Sequence, residues 1–178
     1  MTTEAVITLA ESIGFSHVGA VAMEQLKFLP EVRAMCESNR CQAYNKSWVC
    51  PPACGTLEEI TEKARRYHRG ILVQTTAQME DDFDLETMME AEQLQKEHFS
   101  ALVDRLRDQF PHLLPMSAGT CTLCKTCSYP DAPCRFPDKA FTSMEAYGLM
   151  VSDVCKQSGL GYYYGPQTIT YTSCILLD

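Results

Sequence analysis

The run CTLCKTCSYPDAPC sets Cys121, Cys124, Cys127 and Cys134 in a C-x2-C-x2-C-x6-C pattern, and no other stretch of the chain limits its local fold so sharply. Three thiols at successive three-residue steps let one short loop wrap a single compact inorganic centre, as the first three ligands of a cubane iron–sulfur cluster require. Cys134 closes the corner after a proline-bearing loop. A zinc ion more often takes two C-x2-C knuckles from separate parts of a chain, because one tetrahedral ion is hard to embrace with a single continuous turn. The spacing favours iron and sulfide, and a structural zinc loop is the alternative. Arg135 follows the last cysteine where simple ferredoxins place proline, so the run is not a plain ferredoxin motif. Lys125, Arg135 and Lys139 are placed to balance an anionic centre, and Leu123, Tyr129 and Phe136 to shield it from water.

A second group precedes it. Cys36, Cys41, Cys50 and Cys54 give C-x4-C-x8-C-x3-C with no histidine between them, so four thiolates are the one complete ligand set inside the segment. That set suits iron–sulfur or zinc. Trp48 and Tyr44 stand next to these cysteines as cover, with Arg40 and Lys46 as partial counter-charge. The bland alternative is that some of the four are small core side chains, and Cys54 is the one in question. Cys155 and Cys174, the remaining two of ten cysteines, read as core residues.

The rest of the chain bounds the setting. At 178 residues it supports one core, so we expect a single domain over residues 1–178 with cysteine-rich insertions at 36–54 and 121–137. A formal net charge of −8 and the lack of a long basic run argue against a nucleic-acid surface. No apolar segment is long enough to cross a bilayer, and the opening residues carry no basic leader, which points to the cytoplasm and to reduced thiols rather than disulfides.

Periodicity predicts a helix over residues 3–14, a strand from His17, a short helix from Pro30, and a helix from the capping pair Thr56 and Glu59 to about His68. GILVQTTAQ is the clearest strand. A long helix from Asp84 to about Phe110 carries Leu94, Phe99, Leu102, Val103, Leu106 and Phe110 on its buried face. LLPMSAG feeds the second cysteine run as a brief strand, a helix spans 143–159, and the tail reads as two strands forming a hairpin. Helices and strands alternate, so the fold class is α/β, a mixed sheet with flanking helices and two cysteine-rich metal-binding loops. His17, His68, His98 and His112 share no spacing that suggests ligation, and Glu145 is a helix-start residue with a minority case for proton relay. Tyr162, Tyr163 and Tyr164 line either a pocket or a strand.

The segments CQAYNKSWVCPPACGTLEE and CTLCKTCSYPDAPCRFPDKAFTSMEAYGLMV resemble the predicted metal-binding proteins of the domain of unknown function 2284 family. The resemblance implies metal binding at Cys36, Cys41 and Cys50 and at Cys121, Cys124, Cys127 and Cys134. LAESIGFSHVGAVAMEQL is also similar to the start of epoxyqueuosine reductase and its corrinoid-dependent relatives, which implies electron flow towards a larger cofactor or partner.

Taken together, the residues lead to the expectation of two [4Fe–4S] clusters and single-electron transfer to a redox partner protein. Two alternatives stand beside it: a structural or regulatory zinc module, and a redox enzyme whose incompletely ligated cluster meets substrate.

Overall fold

The computed structural model describes residues 1–178. In chain order the elements are α1 (Thr3–Ile13), β1 (His17–Ala22), α2 (Pro30–Met35), α3 (Leu57–Ala64), β2 (Arg69–Gln78), α4 (Leu85–Arg107), β3 (Leu114–Met116), α5 (Val151–Gln157) and β4 (Thr168–Leu177). Short 3-10 turns occupy Met23–Gln25, Cys36–Ser38 and Glu145–Tyr147. No helix is long and apolar enough to cross a membrane.

The four strands form one sheet in the order β1-β2-β4-β3, so the expected α/β class holds. Every strand pairing is antiparallel, where a mixed sheet was expected; the parallel contact is an isolated bridge outside the strands, between Ser117 and Ser143. Side chains alternate across a strand, and the two central strands show it clearly. Ile71, Val73, Ile175 and Leu177 face α1 and α4, among Val6, Phe99, Leu102 and Leu106. Leu72, Cys174 and Leu176 face the other way, into a core built from Ile60, Met144, Tyr147, Leu149 and Val154. A sheet buried on both faces needs apolar residues at every position, which is why GILVQ reads as a continuous run. Burying one such leucine or phenylalanine contributes about 1.5–3 kcal/mol.

Polar pairs pin the layers. Gln95 of α4 is fully buried, accepts from the Thr75 hydroxyl at 2.7 Å, and donates to Ser173 Oγ at 2.9 Å. Left unpaired, each of these groups would carry a desolvation cost of about 1–3 kcal/mol. The capping pair of α3 is formed as expected, with Glu59 N donating to Thr56 Oγ1 at 3.2 Å and Thr56 N donating to Glu59 Oε2 at 2.8 Å.

Three further expectations are corrected. Leu94 is 42% exposed and lies off the buried face of α4, since Ala91, Gln95, Phe99, Leu102 and Leu106 already fill that stripe. The helix expected over 143–159 is a 3-10 turn, a left-handed Gly148 and then α5. At Gly148, φ is +73° and an added Cβ would meet Leu29 O at 2.8 Å, because this stretch docks by backbone on the chain before α2. Leu29 N donates to Gly148 O at 2.8 Å, and Phe28 bridges to Leu149. The tail has one strand rather than two. β3 pairs β4 only at Cys174–Leu176, and residues 161–164 take no place along the remaining edge. Instead Tyr164 stacks on His17 at 4.0 Å between ring centroids, and its hydroxyl donates to the buried Gln74 Oε1 at 2.7 Å.

A Gly148→Ala chain should unfold in urea with a loss of about 2 kcal/mol or more, since both the backbone angle and the Leu29 contact oppose a side chain. A loss under about 0.5 kcal/mol would contradict this docking.

Candidate metal centre

All ten cysteines are free thiols, and eight of them lie in the two irregular segments that the sheet leaves outside its ladders. The first segment leaves α2 through the 3-10 turn that begins at Cys36, and then turns repeatedly. Asn39, Gln42 and Asn45 all have positive φ, a conformation in which asparagine is tolerated better than most residues. Asn39 Oδ1 accepts from Tyr44 N at 3.1 Å, and Asn45 N donates to Pro51 O at 2.7 Å, which brings Cys41 and Cys50 back towards Cys36. Cys54 N donates to Cys50 O at 3.1 Å.

The second segment runs on from β3 and is fastened to the first. Trp48 donates from its indole nitrogen to Ala132 O at 3.0 Å, and its ring meets Tyr129 edge-on at 4.9 Å. Tyr129 in turn donates to Asn45 Oδ1 at 2.8 Å. These contacts join residues 84 positions apart. Within the second segment, Ser128 Oγ donates to Pro133 O at 2.8 Å and Arg135 donates to Thr126 O at 2.9 Å, closing the loop on itself.

Two cavities result. One of about 240 Å³ is lined by Cys121, Cys124, Cys127 and Cys134, together with Cys41 from the other segment. Its neighbour of about 390 Å³ is lined by Cys36, Cys41, Cys50 and Glu145. Cys41 and Thr120 line both, so the two thiol groups adjoin. Cys54 lines neither cavity, yet its charge opposes the ionisation of Cys36 and Cys50. Glu145, read from the sequence as a helix-start residue, sits on the 3-10 turn and faces the first group.

The thiols report the crowding. Burial raises Cys50 to about 11, and the neighbouring Cys41, Cys54 and Cys36 push the same way. Burial also raises Cys36, and Cys41, Glu145 and Cys54 add to it against the pull of Arg33. Cys121 is raised by burial and by Cys134, Cys124 and Cys127, with the Leu123 amide opposing. Cys127 is the exception. Burial pushes it up, but the amides of Tyr129, Trp48 and Ser128 and the Ser47 hydroxyl outweigh that and hold it below the ordinary thiol range.

Arg33 carries no cysteine-like signature and was not singled out by the sequence. Its guanidinium donates to Ala146 O and to Gly55 O, each at 2.5 Å, and so ties α2 to both flanks of the first group. Its charge opposes the burial of Cys36 and Cys54. The available signal was position: Arg33 lies one helical turn before Cys36, on the same face of α2.

The four histidines line neither cavity, and Cys155 and Cys174 lie in the core as expected. Tyr162 and Tyr163 are exposed.

The donor set suits a metal. Four sulfurs gathered around one cavity oppose each other's ionisation, and a bound cation relieves both the mutual repulsion and the desolvation. No three His, Cys, Asp or Glu side chains converge closely enough to hold a lone ion.

Fold and site together describe an α/β protein whose cysteine-rich loops border two adjoining cavities. Residues 19–177 match the family described as predicted metal-binding protein, domain of unknown function 2284, and the chain belongs to that family. No curated protein matches it. Among solved structures it is similar to a selenomethionine-labelled epoxyqueuosine reductase, at 11% identity and a TM-score of 0.45. It is also similar to an epoxyqueuosine reductase with an epoxyqueuosine-modified tRNA-Tyr stem loop, at 12% identity and a TM-score of 0.41. In each case 97% of this chain aligns with 44% of the other, so the chain spans less than half the length of those enzymes.

In the reduced, metal-free protein, iodoacetamide at mildly alkaline pH should label Cys127 before Cys50. The sign follows from ionisation: a lowered pKa populates the reactive thiolate at lower pH, while a thiol at about 11 stays protonated. Mass spectrometry of tryptic peptides reads the order, and labelling of Cys50 first would contradict the geometry.

Proposed function

We propose that the chain is an iron–sulfur protein holding two [4Fe–4S] clusters and passing single electrons to a partner protein. The observation that carries this reading is the pair of adjoining thiol groups, four cysteines of one segment around one cavity and three of the other around its neighbour, free of disulfides and bordered in common by Cys41. A cubane cluster supplies a one-electron couple whose potential follows hydrogen bonds to sulfur, charge and solvent access.

The chain's own residues would set those three quantities. Cys121, Cys124, Cys127 and Cys134 would hold one centre, and Cys36, Cys41, Cys50 and Cys54 the other. The amides that lower Cys127 would donate to its sulfur and favour added negative charge. Arg33 supplies a fixed positive charge beside Cys36 and Cys54. Trp48 and Tyr129 brace the loops so that the two ligand sets keep their separation. Adjoining pockets keep the distance for electron exchange short, which is the use a relay makes of two centres.

A second reading is favoured by one observation. The larger cavity is lined by Cys36, Cys41 and Cys50 with Glu145 opposite, while Cys54 stands outside it. If three cysteines hold the first centre, this cavity becomes a place for substrate beside an open iron, with Glu145 on its wall.

Protein prepared without oxygen should be brown, with a broad visible band that bleaches on reduction. Cys124→Ser should remove about half of that band and leave the first centre in place. Colourless protein from an anoxic preparation contradicts the proposal. Cys54→Ser separates the two readings: loss of the first centre supports the four-cysteine relay, and its retention supports the open site.

A further inference from the structure

The smaller cavity opens through a rim of one charge. Among the 18 residues that line it are Lys46, Lys125 and Arg135 and not a single acid. This occurs in a chain with 23 acidic against 15 basic residues and a net charge of −8. All three cations are exposed, and none is in an ion pair, whereas Lys96 is held by Glu92 and Lys139 by Asp104. Between them, Leu123 and Phe136 are 44% and 46% exposed at the mouth of the cavity.

The cations come from both cysteine segments. Lys46 stands on the first, and Lys125 and Arg135 on the second, so the Trp48 and Tyr129 contacts that join the segments also assemble the rim. An anionic centre inside would draw some of this charge inward. Lys46 and Lys125 make no side-chain hydrogen bond, and Arg135 gives one nitrogen to Thr126 O with no carboxylate partner, so their charge remains available to a second body; an apolar middle with a charged rim is the usual anatomy of a protein contact.

We infer that this rim is the docking surface for an acidic, one-electron carrier protein, with Lys46, Lys125 and Arg135 meeting its carboxylates and Leu123 and Phe136 forming the dry centre. The inference rests on the proposed relay. A chain that passes single electrons on must also receive them: the reduced carrier would give up one electron to the centre that Cys121, Cys124, Cys127 and Cys134 would hold, with no bond formed or broken and no proton transferred. The negative remainder of the chain repels an acidic carrier, so the rim both attracts and orients it.

The test uses whole protein prepared without oxygen and an acidic flavodoxin as the probe. Binding is read by calorimetry and electron arrival by stopped-flow absorbance, at about 20 mM and about 500 mM salt. The expected result is binding that weakens tenfold or more, by about that factor, at high salt or in the Lys46→Glu, Lys125→Glu variant. A Lys27→Glu, Lys63→Glu variant changes net charge equally on distant exposed positions and should bind as the parent does. Lys125→Arg should also bind normally, since the charge is kept. Binding that follows charge in this way with no electron arriving supports the surface and removes the relay reading. Salt-independent binding, no binding, or equal loss in the distant variant overturns the surface. So does tighter binding of a short RNA hairpin at the same sites.

Discussion

Sulfur atoms brought together without a cation resist losing their protons, and this resistance shapes the part of the molecule that the sheet does not. Cys50 at about 11 and the raised Cys36 and Cys121 show thiols held in one another's company against both desolvation and mutual charge. Such an arrangement is stable when a metal centre takes up the negative charge. The fold's task is to keep eight cysteines in two adjoining sets while neither loop has a regular ladder to hold it.

The task is met by attaching irregular loops to rigid neighbours. The sheet is covered on both faces, by α1 and α4 on one side and by α3, α5 and the Met144–Leu149 stretch on the other. Arg33 then links α2 to Gly55 and Ala146, and Gly148 lets the chain press against Leu29. Between the loops, a single indole and a single phenol supply the cross-links.

Much of the fold was legible because it rests on local periodicity. The α3 capping pair, the stop of α1 at Gly14 and the apolar run of β2 are each written in a few adjacent residues. What escaped depends on distant partners. Residues 161–164 have strand-like composition, but they join no ladder, and Tyr164 stacks on His17 and donates to Gln74 instead. The break at Gly148 needs Leu29, which lies over a hundred positions away in the chain. The two cysteine groups stand out by spacing because each is a local pattern, and the structure sets Cys121, Cys124, Cys127 and Cys134 around one cavity and Cys36, Cys41 and Cys50 around the other. Arg33, the shared border at Cys41, and the Trp48–Ala132 bond were not legible, since each is created by the meeting of segments far apart in sequence.

The account stands on polynuclear iron in both thiol groups, and composition analysis of anoxically prepared protein tests that most directly. Iron, acid-labile sulfide and zinc are counted per chain. Two cubanes give about eight iron and about eight sulfide with zinc absent. About one or two zinc ions with no sulfide would contradict the account, as would cysteines found paired to one another.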